Sequence, residues 1–249
     1  MGTALRFNHV SKRFGRQEIF KDLSLTINVG EFVGLVGING TGKTTLLKCL
    51  LDLCDLDEGS IEIFGVSHLK AEARARLAFL PEHFVSPYFA TGNEFLRYMG
   101  RLHGREYSPS SIEQMLATLD LENTVLSKSA RQLSKGMAQK LGLAATLLSG
   151  KELLVLDEPM SGLDPKARAL LKQYLLGLKE RGHTLFFTTH LLADVEVLCD
   201  SIAVLHGGQL CFVGSPEACR TRFGNGDLEQ AYLSLVAKDE IKDQRVSGI

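Results

Sequence analysis

The stretch that decides the fold is Gly37-Ile38-Asn39-Gly40-Thr41-Gly42-Lys43-Thr44, which fits the pattern G-x-x-x-x-G-K-[ST]. It follows an apolar run at 32–36, which is typical of a strand buried on both faces of a parallel sheet. Beyond it, leucines at positions 46, 47, 50 and 51 fall on one face of a predicted helix. A glycine-rich turn in this context brings backbone N–H groups and the positive end of the helix dipole onto phosphate oxygens. The motif therefore predicts a nucleotide phosphate site rather than a chance glycine-rich turn.

The polar residues of this loop have distinct roles in phosphate binding. Lys43 places a positive charge on the β- and γ-phosphates, and the Thr44 hydroxyl can hold Mg²⁺. We expect the nucleotide to contact the loop and the start of its helix at Gly37, Ile38, Asn39, Gly40, Thr41, Gly42, Lys43, Thr44 and Thr45.

Composition narrows the possible classes of protein. The chain has 249 residues, of which 45% are hydrophobic and 23% charged, as in a globular protein with a sizeable core. Its 28 Lys and Arg nearly balance its 29 Asp and Glu, which argues against a nucleic-acid partner. The five cysteines show no metal-ligand spacing and indicate free thiols in a reducing compartment. With no apolar leader and no run of membrane-spanning length, we expect a cytoplasmic chain whose membrane role, if any, goes through another polypeptide.

A second apolar run, at 153–156, ends in the paired carboxylates Asp157 and Glu158. Carboxylates next to a core are costly without a use. In a chain with a phosphate loop, we expect Asp157 to hold Mg²⁺ through its water shell and Glu158 to polarise the attacking water. The alternative is a solvated turn before Pro159.

The remaining pattern predicts an α/β core interrupted by a helical segment. Alternation at 5–10 and 23–27 predicts half-buried strands, and residues 81–148 are mostly helical in pattern. Strand-like runs at 153–156, 184–189 and 202–205, with a helix at about 165–181 between the first two, predict a parallel sheet. One amphipathic helix is expected after about 226.

A third motif brings in a family resemblance. The stretch at 132–140, Gln-Leu-Ser-Lys-Gly-Met-Ala-Gln-Lys, resembles the LSGGQ signature of ABC-type ATPases, and Ser161-Gly162-Leu163-Asp164 resembles their D-loop. Phe14 lies at the position of the aromatic residue that stacks on adenine, Glu82 at the Q-loop position and His190 at the switch histidine. The resemblance covers about residues 3–236.

The resemblance implies a fold and a division of the chain. The expected fold class is α/β: a P-loop NTPase (RecA-like) core with an antiparallel β subdomain and an inserted α-helical subdomain. A single ABC ATPase domain would cover 3–236, with the core at about 3–80 and 150–225 and the insertion at about 81–149. Residues 237–249 would form a charged tail, whose order stays open.

The signature adds a second anion site. Ser134 is a suitable N-cap for the helix that follows it, and a helix N-terminus with a hydroxyl and a glycine (Gly136) attracts phosphate. The family closes such a site head to tail on the γ-phosphate of a partner ATPase. The resemblance therefore implies ATP and Mg²⁺ as cofactors, and a second copy or a paralogous ATPase subunit as one partner. The second implied partner is a transmembrane permease, which would hold the chain at the cytoplasmic face of the membrane.

Three residues depart from the family pattern. Lys135 and Met137 replace a glycine and the glutamine of the signature, and Glu82 replaces the usual glutamine, which adds negative charge beside the metal. These changes resemble a branch that works with exporters of lipids, polysaccharides, drugs or similar cargo. The expected function is ATP hydrolysis that powers a permease by dimer closure. A soluble ATPase that acts as an assembly or scaffold switch is the alternative, and a P-loop kinase fails on the signature and switch motifs.

Apolar residues follow Glu82, at Phe84, Val85, Tyr88 and Phe89. They either pack inside the helical insertion or form a groove for a partner's helix. The sequence leaves both possibilities open.

Overall fold

The computed structural model describes residues 2–85, 87, 89–224 and 226–246, with side chains up to residue 237. The strands are β1 (Thr3–Phe14), β2 (Gln17–Asn28), β3 (Phe32–Val36), β4 (Glu58–Ile63), β5 (Val66–Ser67), β6 (Leu77–Leu80), β7 (Leu153–Asp157), β8 (Thr184–Thr189), β9 (Ser201–His206) and β10 (Gln209–Gly214). The α-helices are α1 (Lys43–Leu50), α2 (Gly92–Leu102), α3 (Pro109–Thr118), α4 (Lys135–Leu148), α5 (Pro165–Glu180), α6 (Leu192–Leu198), α7 (Pro216–Phe223) and α8 (Leu228–Val246). Short 3₁₀ turns lie at Ala71–Arg76, Asn123–Leu126 and Ala130–Gln132.

The chain divides into two compact units. The first runs up to Ala75 and resumes at Thr184, and the second runs from Arg76 to His183. The predicted boundaries of core and insertion stay predictions. The predicted C-terminal helix is α8, which begins at Leu228 and continues past the predicted start of the tail at 237, and residues 247–249 lie outside the described part of the chain.

The first unit contains an antiparallel sheet with strand order β2-β1-β4-β5. Leu5 of β1 pairs with Ile27 of β2 on one side and with Ile63 of β4 on the other. Two residues further along β1, Phe7 pairs with Leu25 of β2. Because these side chains point to the same face and are buried, the alternation of apolar and polar residues that predicted β1 and β2 reflects one buried face.

The first unit also contains neighbouring strands in the order β10-β9-β3-β8, in which β3 lies parallel to β8 and to β9. All residues of β3 and β8 are buried, which explains the continuous apolar run of β3 and the apolar centre of β8, where Leu185, Phe186 and Phe187 lie between threonines. Helix α6 packs closely on β3, since a Cβ on Gly34 would lie 2.6 Å from Cγ1 of Val195. A glycine at that position lets the helix approach the strand.

The second unit joins the parallel strands β6 and β7 to helices α2–α5. Helix α2 begins with a full capping box in which Thr91 and Glu94 satisfy each other's backbone N–H groups. Helix α3 begins at Pro109, with Ser108 as its cap. No helix in the described part of the chain is long and apolar enough to cross a membrane.

The core of the first unit should be sensitive to loss of Phe186. This β8 side chain is fully buried, and its ring centroid lies 5.9 Å from that of Phe7. We expect Phe186→Ala to lower the free energy of unfolding by about 3–5 kcal/mol, because it leaves a cavity. Urea unfolding measures the change, with Leu69→Ala as the control at a side chain that is 64% exposed. Equal losses in the two variants would contradict the proposed packing.

Candidate nucleotide site

The loop between β3 and α1 is shaped by close backbone contacts in the first unit. A Cβ on Gly37 would lie 2.6 Å from the backbone oxygen of Leu205, so no larger residue fits. Gly42 has φ 101°, and a Cβ there would lie 2.8 Å from Cγ2 of Ile19. Gly40 is also left-handed, with φ 86°. Space at Gly37 and conformation at Gly40 and Gly42 therefore explain the glycines of the motif.

Lys43 folds back over this loop. Its Nζ donates to the backbone oxygen of Gly37 at 2.6 Å and to that of Ile38 at 3.2 Å, and the residue is only 6% exposed. Gly42, the N-cap of α1, has no side chain to cap the helix. An anion at this helix end would meet both the helix dipole and the ammonium group. The geometry therefore fits a phosphate group.

The first unit brings His190 close to the same loop. His190 directly follows β8 and lines a cavity of about 280 Å³ together with Gly37 and Ile38. Tyr232 and Leu233 of α8 line this cavity too. The sequence predicts the helix that carries Tyr232 but not the approach of this helix to the loop, because no local pattern specifies where a C-terminal helix packs.

Phe14 ends β1 and is 52% exposed. The Nζ of Lys12 lies 5.1 Å from its ring centroid. An exposed aromatic ring offers a face for stacking on a base. Its role in binding adenine stays a prediction.

Asp157 and Glu158 lie at the end of β7 in the second unit, and they are 1% and 6% exposed. Glu158 has φ 48°. Among the described non-glycine residues with positive φ, Glu158 alone is buried. A left-handed glutamate costs about 1–3 kcal/mol and persists only where the surrounding structure holds it. The buried, strained carboxylate is therefore a candidate for a catalytic function.

Glu82 follows β6 in the second unit, where its Oε1 lies 3.8 Å from Nε2 of its neighbour His83. Its side chain is 38% exposed. The carboxylate is thus accessible, and its proposed contact with the metal stays a prediction.

The signature and the D-loop meet within the second unit. Ser134 Oγ accepts a hydrogen bond from the backbone N–H of Met137 at 3.2 Å, which is the predicted N-cap of α4. Ser134, Gly136 and Asp164 line one cavity of about 370 Å³. Lys140 also lines it, and sequence reasoning missed this residue, although a lysine within the apolar helix α4 is a signal for a buried partner.

Asp164 is held ionised by two donors. The backbone N–H of Ala167 donates to Oδ1 at 2.9 Å, and the Lys140 ammonium lies 3.0 Å from Oδ2. Together these donors lower the pKa of Asp164 to about 2, with the Ala167 N–H as the larger cause. Asp164 is at once the cap of α5 and the partner of a lysine from α4.

The acidic residues do not form a metal cage of their own. No group of three or more His, Cys, Asp or Glu side chains that could hold a metal ion exists in the part of the chain that the structure describes. Mg²⁺ typically takes one or two carboxylates and completes its shell with waters and phosphate oxygens. The sequence offers two such oxygen ligands, the Thr44 hydroxyl and the Asp157 carboxylate, which match this preference of Mg²⁺.

The apolar residues after Glu82 differ in burial. Phe84 packs inside the second unit, since its ring centroid lies 5.3 Å from that of Phe95 and a Cβ on Gly142 would lie 2.6 Å from the Phe84 ring. Val85 and Phe89 are 82% and 78% exposed. Tyr88 lies outside the described residues.

Comparisons with known proteins agree with this geometry. A solved structure described as the ATP-binding subunit of an ABC transporter matches with a TM-score of 0.84 and 30% identity, over 93% of this chain and 99% of that one. An uncharacterized ABC transporter ATP-binding protein of Synechocystis is 42% identical over 80% of this chain and 57% of its own length. Nod factor export ATP-binding protein I of Burkholderia lata is 39% identical over 85% of this chain and 71% of its own length.

The fold is therefore that of a P-loop NTPase, and the predicted fold class is confirmed. The family model described as ABC transporter matches residues 20–161, a range that includes the phosphate loop, the signature and Glu158. The chain belongs to the ABC transporter family, among the ATP-binding domains, which hydrolyse ATP. The roles assigned to single residues stay predictions.

The ion pair at Asp164 can be tested by titration. We expect Lys140→Met to raise the pKa of Asp164 from about 2 toward its ordinary 3.8, though not fully, because the Ala167 N–H remains. Since the folded-state pKa is lowered, the stabilisation is present above the ordinary value and is lost as the pH falls toward about 2.

The carboxyl ¹³C resonance of Asp164 measures this pKa directly. Lys151→Met, which removes a charge elsewhere in the second unit, is the control. An unchanged pKa in Lys140→Met would show that the ion pair does not form in solution.

Proposed function

We propose that this chain is the ATP-hydrolysing subunit of a transporter, which powers a separate membrane permease from the cytoplasmic face of the membrane. The observation that carries the proposal is the phosphate loop: Gly37 and Gly42 fit no side chain, α1 starts without a side-chain cap, and Lys43 lies over the loop backbone. Each of these features suits a polyphosphate.

On this proposal Lys43 exchanges its bonds to the loop carbonyls for bonds to the β- and γ-phosphates of ATP. Thr44 and Asp157 would hold Mg²⁺, which neutralises developing charge on the phosphates. Phe14, exposed at the end of its strand, stacks on the adenine.

Glu158 polarises the attacking water in the proposed hydrolysis of ATP to ADP and phosphate. The carboxylate is buried, and its strained backbone restrains the direction of the side chain. His190 contacts the γ-phosphate and helps to position the water, which its place beside Gly37 and Ile38 supports.

A second ATPase subunit, either another copy or a paralogue, would complete each site. The helix end at Ser134 and Gly136 closes on the γ-phosphate bound by the partner subunit, and ATP-driven closure of this dimer moves the permease. Asp164 lies in the same cavity as Ser134 and supports this surface. Glu82 links the metal to the permease contact.

The proposed cargo class is a lipid, polysaccharide, drug or similar molecule that is exported. A relative named for Nod factor export supports this direction, and so do the exporter-like residues Lys135, Met137 and Glu82. The chain spans only 57% of the length of the Synechocystis relative, so the cargo and the permease belong to the proposal.

Replacing the proposed base should separate binding from hydrolysis. We expect Glu158→Gln to abolish phosphate release, by a factor of about 10² or more, while ATP still binds and the dimer accumulates. Phosphate release and light scattering with ATP measure the two effects. Glu180→Gln, at an exposed residue that ends α5, is the matched control. Normal turnover in Glu158→Gln would exclude the role given to this residue.

The permease can be sought directly. We expect the tagged chain, purified from detergent-solubilised cells, to bring down a polytopic membrane protein in a 1:1 ratio, identified by mass spectrometry. Recovery of soluble partners alone, with an intact ATPase, would instead support the assembly or scaffold switch.

A further inference from the structure

The end of β1 carries a lysine whose charged side chain is buried. Lys12 lies two residues before Phe14, and its side chain is only 10% exposed. Lysine is almost never buried unless a partner compensates its charge. The groups that contact Lys12 therefore show what keeps it at this end of the strand.

Two groups of the first unit contact the Lys12 ammonium. Its Nζ lies 3.6 Å from Oδ2 of Asp57, and it lies over the ring of Phe14, 5.1 Å from the ring centroid. A cation within about 6 Å of a ring centroid is attracted by the negative face of the ring. Lys12 thus joins a carboxylate to one face of an aromatic ring.

The backbone of β1 holds Asp57 in place independently of Lys12. The N–H of Asp57 donates to the backbone oxygen of Ser11 at 3.0 Å, and the N–H of Arg13 donates to Oδ2 of Asp57 at 2.7 Å. The Arg13 N–H is also the largest cause of the lowered pKa of Asp57, and Lys12 lowers it further, so the carboxylate is ionised at neutral pH. Asp57 is therefore a fixed anchor for the ammonium.

Strand β1 is irregular at the same place. Its pairing with β2 shifts register between Val10 and Lys12, and again between Lys12 and Arg13. Irregularities of this kind change the direction of a side chain and are common next to functional sites. Lys12 therefore lies where β1 departs from a regular ladder, which agrees with a side chain placed for a specific contact.

Phe14 is 52% exposed even though Lys12 lies over its ring. Ordering an exposed side chain when a ligand binds costs free energy, and a ring that is already held avoids part of that cost. We propose that Lys12 is a positioning residue for the nucleotide base: anchored by Asp57, its ammonium holds one face of the Phe14 ring and leaves the opposite face to receive adenine. The inference rests on the proposed function, in which Phe14 stacks on that base.

The test compares the binding of ADP, which carries the base, with that of tripolyphosphate, which has none. Isothermal titration calorimetry without Mg²⁺ measures both affinities, so that nothing is hydrolysed. We expect Lys12→Met to weaken ADP binding about two- to fivefold, the range for one cation–π contact, and to leave tripolyphosphate binding unchanged. Lys12→Arg keeps the cation and should restore ADP binding. Lys70→Met is the matched control, because it also removes a lysine close to a carboxylate, with Nζ 3.9 Å from Oε1 of Glu72.

Phe14→Ala separates this inference from the proposed function. It should weaken ADP binding as well, and adding Lys12→Met to it should weaken ADP binding no further, because the ring through which Lys12 acts is gone. Unchanged ADP binding in Phe14→Ala would overturn the stacking role itself, and the positioning role with it.

Other results would overturn the positioning role and leave the stacking of Phe14 intact. These are unchanged ADP binding in Lys12→Met, an equal loss of ADP and tripolyphosphate binding, a further loss in the double variant, or no restoration by Lys12→Arg. Where circular dichroism shows that Lys12→Met does not fold, Lys12→Gln takes its place with the same expected results.

Discussion

The structure of the first unit depends on one tight turn of backbone between β3 and α1. At Gly37 the chain passes so close to the carbonyl of Leu205 that no side chain fits, and at Gly42 the same holds against Ile19. The turn therefore also constrains two strands, because β9 carries Leu205 next to Gly37 and β2 carries Ile19 next to Gly42. Lys43 then lies over the loop, where two carbonyl oxygens accept hydrogen bonds from its ammonium.

Much of the fold could be predicted because its signals are local. Strand β3, which is buried on both faces, is an unbroken apolar run, and the helix starts at Thr91, Ser108 and Ser134 carry side-chain caps. Strands β4 and β6 were not predicted individually. Pairing in β1 and β4 brings together residues about fifty positions apart, through a register shift between Asn8 and Ser11, which no short window of sequence specifies.

The candidate site likewise combines features that local sequence predicts with features that depend on packing between distant elements. Spacing alone predicted the phosphate loop and the carboxylates at the end of β7, since chemistry fixes both the residue types and their order. The ion pair of Lys140 with Asp164, and the approach of Tyr232 to the loop, arise from packing between elements far apart in sequence. The positive φ at Glu158 could not be predicted, because glycine and asparagine adopt this conformation far more often than glutamate does.

Two features that are energetically unfavourable for the local structure occur at residues assigned to the nucleotide site. One lies in each compact unit. In the first unit, α1 begins at a glycine that provides no cap, and in the second, Glu158 keeps a left-handed backbone in a buried position. Neither feature is locally favourable, since Gly42 offers no hydroxyl to the first N–H groups of α1 and a glycine at position 158 would be less costly than the strained glutamate. A phosphate at the start of α1 would offset the first cost. The second persists because glycine would remove the carboxylate, which argues that chemistry rather than stability determines the residue at 158.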